Sequence, residues 1–437
     1  MLETLRNAWK IADLRKKMMY TVMILLVFRI GAAIPVPFMR PEVLASAAIL
    51  QGGLLSYFNM LTGGAFARAT LFALGISPYI TASIIMQLLR VAIPALERLS
   101  REGEAGQKKI AKITRWSTFG LSLVMATAYF IMNRNITDEF GQSAVRHIGG
   151  FAGWFSMLVI ILSFTAGAML IVWLGEAIDK RGIGNGISMI LFAGIISGAP
   201  NVITLLVEHW GFAVAGETQF FFFVPAIVVI FFALITAIVL MNSSERRIPV
   251  QYSKRVVGRK MYGGQSSFIP VKVMMSGVMP IIFAGALLSI PQMVSAFTNL
   301  NPAGWFAIFL SWFNYDHPLY AVLYLFLIIA FNYFYVSIQY NPIQMANDLR
   351  KNNGAIPGIR PGKPTSDFIA KVIAKITLVG AIFLAMVAIL PIIIGAVMNL
   401  PIALGGTSII IVVSVALDTV RSLESQMMMR HYKGFLE

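Results

Sequence analysis

Apolar runs of about twenty residues recur along the whole chain, separated by short polar or charged segments. A helix of that length matches the thickness of the hydrocarbon core of a bilayer. Lipid offers the backbone no hydrogen-bond partner, so only helices and closed barrels cross it. Barrel strands would show alternating segments of about ten residues. The pattern therefore predicts an all-α polytopic membrane protein.

The charge content supports this fold class. Only 12% of the 437 residues are charged, whereas a soluble domain carries about 25% because its surface faces water. Most of this surface therefore faces lipid. We predict ten transmembrane spans, over 18–36, 70–94, 114–132, 151–175, 184–206, 219–241, 272–297, 317–340, 371–396 and 400–421.

The basic residues predict the orientation. Ten spans place both termini on one side of the membrane, and all but five of the 35 Lys and Arg residues fall on that side. Loops rich in Lys and Arg stay in the cytosol, so both termini are predicted to be cytosolic. The net charge of +16 is spread over every predicted cytosolic loop, which argues against a nucleic-acid-binding domain.

Two proline positions suggest an internal repeat. Pro78 interrupts predicted span 2 and Pro280 interrupts predicted span 7, the second spans of two five-span groups. Matching interruptions are typical of an inverted repeat with the functional path between its halves. Proline is also common in membrane helices generally, so the residues alone leave the repeat open. The predicted halves are 1–206 and 207–437, the second with cytosolic loops at about 242–271 and 341–367.

A short apolar segment at about 54–67 lies close to glycine pairs and is too short to cross a bilayer. It predicts a hinged, re-entrant helix on the outer side of the membrane. Such a segment survives at that depth only when protein shields it or when it lines a cavity. The residues of interest are Leu54, Ser56, Phe58, Asn59, Met60, Gly63 and Gly64.

The predicted spans contain few residues that could bind an ion or catalyse a reaction. Their middles contain essentially no Asp or Glu, and only Arg29 is a plausible intramembrane charge. Proton- or sodium-coupled transporters normally need a buried carboxylate, so this pattern disfavours coupled transport. The four histidines are scattered over loops and the tail, and the chain has no cysteine and no phosphate-binding glycine loop. We expect no enzymatic activity, no metal site and no cofactor.

Several motifs resemble the SecY/Sec61 family of protein-conducting channels. In chain order, they are FRIG at 28–31, FALGISPYITASII at 72–85, WLGE at 173–176, GIGNGIS at 182–188, NP at 341–342, PGIRPG at 357–362 and GGTS at 405–408. They run across nearly the whole chain, and ten spans is also the number in that family. The resemblance implies two five-span halves that hinge between spans 5 and 6 around an hourglass pore.

The resemblance also implies site residues. Segment 54–67 becomes a plug that closes the outer funnel of the pore. A lateral gate towards lipid lies between span 2, with Thr81, Ile84 and Gln87, and span 7, with Phe283 and Ile290. Gln87 and Asn185 are a candidate hydrogen-bonded pair, with simple helix packing as the alternative. The constriction ring of the pore consists of Ile76, Ile80, Ile187, Leu191, Ile282 and Ile411, with leucine at 191 departing from the family's isoleucine.

Two of the implied partners contact the two long cytosolic loops. In the family these loops dock the SecA motor ATPase or the ribosome, including its RNA, and Arg360 matches an arginine on which docking depends. The other implied partners are the small membrane subunits SecE and SecG, signal peptides, nascent chains and membrane lipids, in a bacterial plasma membrane. The candidate docking residues are Arg255, Arg259, Lys260, Arg350, Lys351 and Arg360.

Three functions remain in competition. The first is a gated protein-conducting channel that also releases transmembrane segments into lipid. The second is a secondary transporter for a small solute, which shares inverted repeats and interrupted helices. The third is a membrane scaffold without a pore. The missing carboxylates disfavour the second, and the hinged segment together with the ordered motifs disfavours the third.

Overall fold

A computed structural model describes most of the chain, and the statements below concern those residues. The described ranges are 2–45, 59, 61–134, 136, 142–146, 149–214, 218–252, 255–257, 260–262, 266–297, 304–313, 317–398 and 406–433.

In the first part of the chain, the regular elements that the structure describes are all helices. Its helices are α1 (Leu2–Lys10), α2 (Ala12–Gly31), α3 (Pro41–Ala45), α4 (Ser77–Ala92), α5 (Pro94–Arg101), α6 (Glu104–Arg134), α7 (Gly150–Arg181) and α8 (Gly186–Val214).

The second part adds short strands to its helices. Its elements are α9 (Thr218–Ser243), β1 (Glu245–Tyr252), β2 (Arg255–Val257), β3 (Lys260–Tyr262), β4 (Ser266–Lys272), α10 (Met279–Phe297), α11 (Trp305–Ser311), α12 (Pro318–Gln339), α13 (Pro342–Lys351), β5 (Gly354–Ala355), α14 (Lys363–Met398) and α15 (Gly406–Lys433).

The predicted helical membrane fold is confirmed, and each of the ten predicted spans overlaps one helix. Within the described residues, six helices are individually long and apolar enough to cross a membrane. The pair α4 and α5, which bends by 105° at Ile93, makes a seventh if it is taken as one span. The remaining predicted spans correspond to α2, α6 and α10, so the number ten stays a prediction.

The two prolines begin their helices and do not interrupt them. Pro78 and Pro280 each occupy the second position, in α4 and in α10. Proline is tolerated there because the first turn needs no intrahelical N–H donor. The prediction that these helices begin at 70 and 272 is therefore wrong, since tight turns occupy 71–76 and 273–278.

A glycine with a positive φ precedes each of the two prolines. Gly75 has φ +56° and Gly277 has φ +60°, and each lies three residues before its proline. Glycine adopts a positive φ at lower cost than any other residue, because it has no Cβ. Equal spacing at the start of α4 and α10 is what an inverted repeat would produce, and these two helices contact each other.

The predicted loop 242–271 folds into strands, which qualifies the prediction of an all-α chain. Strand β1 pairs with β4 in antiparallel register, with Ile248 opposite Ile269. Strand β5, from the second predicted loop, pairs with the other edge of β1. We call this three-stranded unit, β4–β1–β5, the loop sheet. It joins two segments that are about a hundred residues apart in the sequence, and a separate hairpin joins β2 to β3.

The largest apolar core contains residues from both predicted halves. Ile190 of α8, Ile281 of α10 and Ile410 of α15 are fully buried in this one cluster. A smaller cluster supports the loop sheet against α12, α13 and α14, and it includes Ile248, Ile356 and Ile369.

Candidate functional site

The six aliphatic residues predicted to form the ring belong to one apolar cluster. Ile76, Leu191, Ile282 and Ile411 are buried in it, and Ile80 and Ile187 pack against it half-buried. They come from α4 and its N-cap, α8, α10 and α15. The fold therefore brings together residues as far apart in sequence as 76 and 411.

Corresponding positions in the two proposed repeats supply two of these residues. Ile80 lies two residues after Pro78, and Ile282 lies two residues after Pro280. Both lie in the first turn or so of their helices, directly after the glycine turns. The helix starts thus carry the apolar side chains to equivalent places in α4 and α10.

The start of α8 is held by two side-chain hydrogen bonds. The Asp179 carboxylate accepts from the Gly186 N–H at 2.7 Å, and the Asn185 side chain accepts from the Ser188 N–H at 3.1 Å. An oxygen in this position caps the free N–H groups of a first helical turn. These bonds fix the turn that presents Ile187 to the apolar cluster.

Part of the predicted plug lies outside the described residues, namely Leu54, Ser56, Phe58 and Met60. Of the described residues of the segment, 59 and 61 are helical, whereas 62–67 form successive tight turns. Asn59 organises them, since its side chain accepts from the Ala67 N–H at 2.9 Å and its carbonyl accepts from the Gly64 N–H at 2.8 Å. The prediction that helix continues to 67 is wrong because these bonds close the chain into turns.

Residues 61–64 contact α8 closely, and we call this contact the plug seat. Gly63 has φ +66°, and a Cβ added there would lie 2.2 Å from the Ser197 Oγ and 3.0 Å from the Gly194 carbonyl oxygen. A Cβ added at Gly194 would in turn lie 2.3 Å from the Leu61 carbonyl oxygen. Only glycine allows the two backbones to approach this closely.

Arg29 joins the plug seat to α2. Its Nη1 donates to the Gly63 carbonyl oxygen at 3.0 Å. A charge at membrane depth is costly and is retained where it has a specific partner. Sequence reasoning singled out Arg29 as an intramembrane charge but gave it no partner, because a contact over 34 positions has no local signature.

The predicted gate residues lie on helices that meet, but their side chains do not all face each other. Ile84 is buried, whereas Ile290 is 48% exposed. The Phe283 ring packs edge-to-face on Phe331 and Tyr335 of α12, so it contacts its own predicted half. The Thr81 hydroxyl donates to the Ser77 carbonyl within α4.

Gln87 and Asn185 do not hydrogen-bond to each other in this structure, which leaves the alternative of simple helix packing open. The Gln87 Nε2 donates to the Ser83 Oγ at 3.5 Å, one turn back in α4. The Asn185 side chain caps α8 as described above. Both amides thus take local partners within reach of their own backbone, which a sequence comparison cannot distinguish from a contact between helices.

The predicted docking residues lie around the loop sheet and α13. Arg360 is exposed in a turn set by Gly358 at φ +79° and Gly362 at φ +106°, and its carbonyl accepts from the Thr365 hydroxyl at 2.8 Å. Arg350 and Lys351 are exposed in the last turn of α13. Of the others, Arg255 and Lys260 lie on the paired strands β2 and β3, and Arg259 lies outside the described residues.

Sequence comparison decides the family. The SecY family model matches residues 70–420. The protein translocase subunit SecY of Streptomyces galbus is 40% identical over 449 residues, covering 100% of both chains. This chain belongs to the SecY family. The SecY of Halalkalibacterium halodurans is 41% identical over 443 residues, again with both chains fully covered.

Solved structures agree with the SecY fold. A structure described as a protein-conducting channel superposes with a TM-score of 0.63 at 20% identity, covering 94% of this chain and 92% of the other. Sec61 from a canine ribosome–channel complex of the endoplasmic reticulum gives a TM-score of 0.60 at 18% identity, with the same coverage.

Family membership settles the choice between the three functions. A SecY chain is a translocase subunit that forms a protein-conducting channel in a membrane, and it is a transporter and not an enzyme. The readings of the chain as a small-solute transporter or as a scaffold without a pore are therefore set aside.

Proposed function

We propose that this SecY chain conducts unfolded secretory polypeptides across a bacterial plasma membrane and releases transmembrane segments into lipid between α4 and α10. The observation that carries the proposal is the convergence of Ile76, Ile80, Ile187, Leu191, Ile282 and Ile411 from both halves into one apolar cluster.

An aliphatic constriction suits a channel for arbitrary sequences. A narrow apolar passage loses its water, so it blocks ions through the cost of removing their hydration shells. It also presents no fixed charge or hydrogen-bond partner that would retain one passing segment more than another. Residues four apart share one face of a helix, so Ile76 lies beside Ile80, and Ile187 lies beside Leu191. These faces can move away from each other when the two halves separate.

The plug closes the same path in the resting channel. Its seat ties residues 61–64 to α8 by close backbone packing and to α2 through the Arg29 hydrogen bond. Those contacts hold the turn in one place without covalent restraint. Displacement of the turn by a signal peptide therefore opens the path at the cost of a few contacts.

The lateral exit lies between helices that start alike. Both α4 and α10 begin after a glycine turn and carry a proline at their second position, and they contact each other across the two halves. A segment of a nascent chain that reaches this contact partitions into lipid when its apolar area is large enough, at about 25 cal/mol per Å². Thr81, Ile84, Gln87, Phe283 and Ile290 are the residues proposed to respond to that opening.

The partners dock on the side that carries the loop sheet. Both termini and the basic loops face the cytosol, because Lys and Arg are retained there. The turn that presents Arg360 and the end of α13 offer exposed positive charge to the SecA motor or to ribosomal RNA phosphates. The small subunits SecE and SecG complete the complex in the membrane.

Reconstitution tests the proposal directly. The chain is assembled with SecE and SecG in vesicles, and SecA, ATP and a secretory preprotein are added. We expect the preprotein to become protected from external protease only when ATP is present. Persistent protease sensitivity, in vesicles where SecA binds and hydrolyses ATP, would refute the proposal.

A further inference from the structure

The turn that precedes α10 connects the loop sheet to the proposed lateral exit. It spans 273–278, between the end of β4 and the start of α10. The Val273 N–H donates to the Ser244 carbonyl at 3.0 Å, directly after α9. A Cβ added at Gly380 of α14 would lie 2.5 Å from the Val273 carbonyl oxygen, so α14 approaches the same residue closely. The beginning of the turn is therefore held between α9 and α14.

The other end of the turn is held by a buried polar bridge. The Ser276 Oγ donates to the Asn332 Oδ1 of α12, and the Asn332 Nδ2 donates to the Thr377 carbonyl of α14 at 3.0 Å. A backbone carbonyl can only accept, so the amide nitrogen must face Thr377 and the amide oxygen must face Ser276. We call Ser276, Asn332 and Thr377 the turn anchor.

The turn anchor lies wholly inside the chain. Asn332 is 2% exposed and Ser276 is 4% exposed. Burying an amide without partners costs free energy, and here both ends of the Asn332 amide are paired. These contacts are made within one chain, so they are present whichever subunits cover its outer surface. An apolar side chain at 332 would pack in the same place but would not join the turn to α14.

The turn anchor ends one residue before the backbone becomes free to bend. Gly277 has φ +60°, and a Cβ added there would meet nothing within 4 Å. Helix α10 begins two residues later, at Met279. With Ser276 held, α10 can move only by bending at Gly277. With Ser276 released, the turn itself can move with α10.

We propose that Asn332 is a positioning residue of the lateral gate, which holds the turn before α10 on α12 and α14 and so sets how easily α10 leaves α4. The inference rests on the lateral exit proposed above. Movement of α10 away from α4 pulls on the turn, and the Ser276–Asn332 hydrogen bond resists that movement. Hydrogen bonds between membrane helices are worth about 3- to 16-fold in an equilibrium, so its loss should raise the ratio of open to closed gate by that factor.

Three variants isolate the bond. Ser276→Ala removes the donor in the turn and leaves the Asn332–Thr377 bond in place. Asn332→Leu removes both bonds with a side chain of similar size. The matched control is Thr377→Val, because the Thr377 hydroxyl is equally buried but donates to the Ile373 carbonyl within α14. The control therefore loses a buried hydroxyl without losing the link between helices.

The first measurement is hydrogen–deuterium exchange of the complete channel complex in vesicles without substrate. We expect exchange of the backbone amides in 273–282 to rise about 3- to 16-fold in Ser276→Ala and in Asn332→Leu, and to stay parental in Thr377→Val. Combining Ser276→Ala with Asn332→Leu should add little to Asn332→Leu alone, because both remove the same bond. Parental exchange in both single variants, or an equal rise in Thr377→Val, would overturn the proposal.

The second measurement separates the anchor from the channel function. A secretory preprotein carries one test segment whose leucine content is adjusted until the parent inserts half of it into lipid and translocates the other half. We expect the ratio of inserted to translocated segment to rise about 3- to 16-fold in Ser276→Ala and in Asn332→Leu but not in Thr377→Val. An unchanged ratio in a variant with raised exchange would overturn the role in the gate. A parent that neither translocates nor inserts would refute the proposed function, and the exchange measurement would still decide whether Asn332 holds the turn.

Discussion

Replacing Gly63 by alanine is the sharpest test of the plug seat. At φ +66° a left-handed residue other than glycine costs about 1–2 kcal/mol. The new Cβ would also lie 2.2 Å from the Ser197 Oγ and 3.0 Å from the Gly194 carbonyl oxygen, and forced overlap in a packed site costs about 1–3 kcal/mol. The seated turn therefore loses about 2–5 kcal/mol.

That loss changes the resting channel. Since about 1.4 kcal/mol corresponds to a factor of ten, the ratio of seated to displaced plug falls roughly 30- to 4,000-fold. The assay is the ion current of the reconstituted complex in a planar bilayer without substrate. We expect Gly63→Ala to raise the resting current clearly above that of the parent.

Two variants separate the causes. Gly211→Ala adds a Cβ in α8 that meets nothing within 4 Å, so its resting current should equal that of the parent. Ser197→Ala combined with Gly63→Ala removes the nearest clashing atom but not the backbone strain, so it should restore part of the seal. A parental resting current in Gly63→Ala, from a channel that still opens with substrate, would show that the seat does not hold the plug as described.

Three further changes test the other parts of the site. Arg29→Met removes the donor to the Gly63 carbonyl, a charge-assisted bond worth about 1.5–3 kcal/mol, and should raise the resting current at least about tenfold. Ile80→Gly together with Ile187→Gly should make the closed channel leak ions in planar bilayers, because the apolar seal is widened and wetted. Arg360→Glu should abolish translocation driven by the cytosolic ATPase in the protease-protection assay while the chain still folds, because Arg360 is exposed in its glycine-set turn.

Each of these changes has a matched control. Arg29→Lys keeps a donor and should leak less than Arg29→Met. Ile203→Gly removes a similar side chain from a position that is 62% exposed and outside the predicted ring, so it should not leak. Lys351→Glu reverses a charge on the neighbouring end of α13 and should weaken translocation less than Arg360→Glu. Unchanged conductance in the double glycine variant would remove the ring assignment, and normal translocation by Arg360→Glu would remove the docking role.

The membrane fold could be predicted from the sequence because its cause is local. Each apolar run must form a helix by itself, because lipid provides no hydrogen-bond partner for the backbone. The predicted ring residues are assigned through the family motifs, because aliphatic side chains at helical spacing have no chemical signature of their own. The sequence shows the two prolines, but their place at the second position of a helix depends on the glycine turns before them.

What the sequence alone determined, therefore, is the helical membrane class, the family and the positions of most helices. The tertiary structure decided which distant segments meet. Strand β5 pairs with β1 across about a hundred residues, Arg29 finds the Gly63 carbonyl, and Gly194 admits the backbone at Leu61. Hydrophobic periodicity records whether a side chain is buried and not which partner it is buried against. Hydrogen bonds to backbone carbonyls, and close backbone approaches at glycines, do not change the hydrophobic pattern of the sequence. They can therefore be seen only in the packed structure.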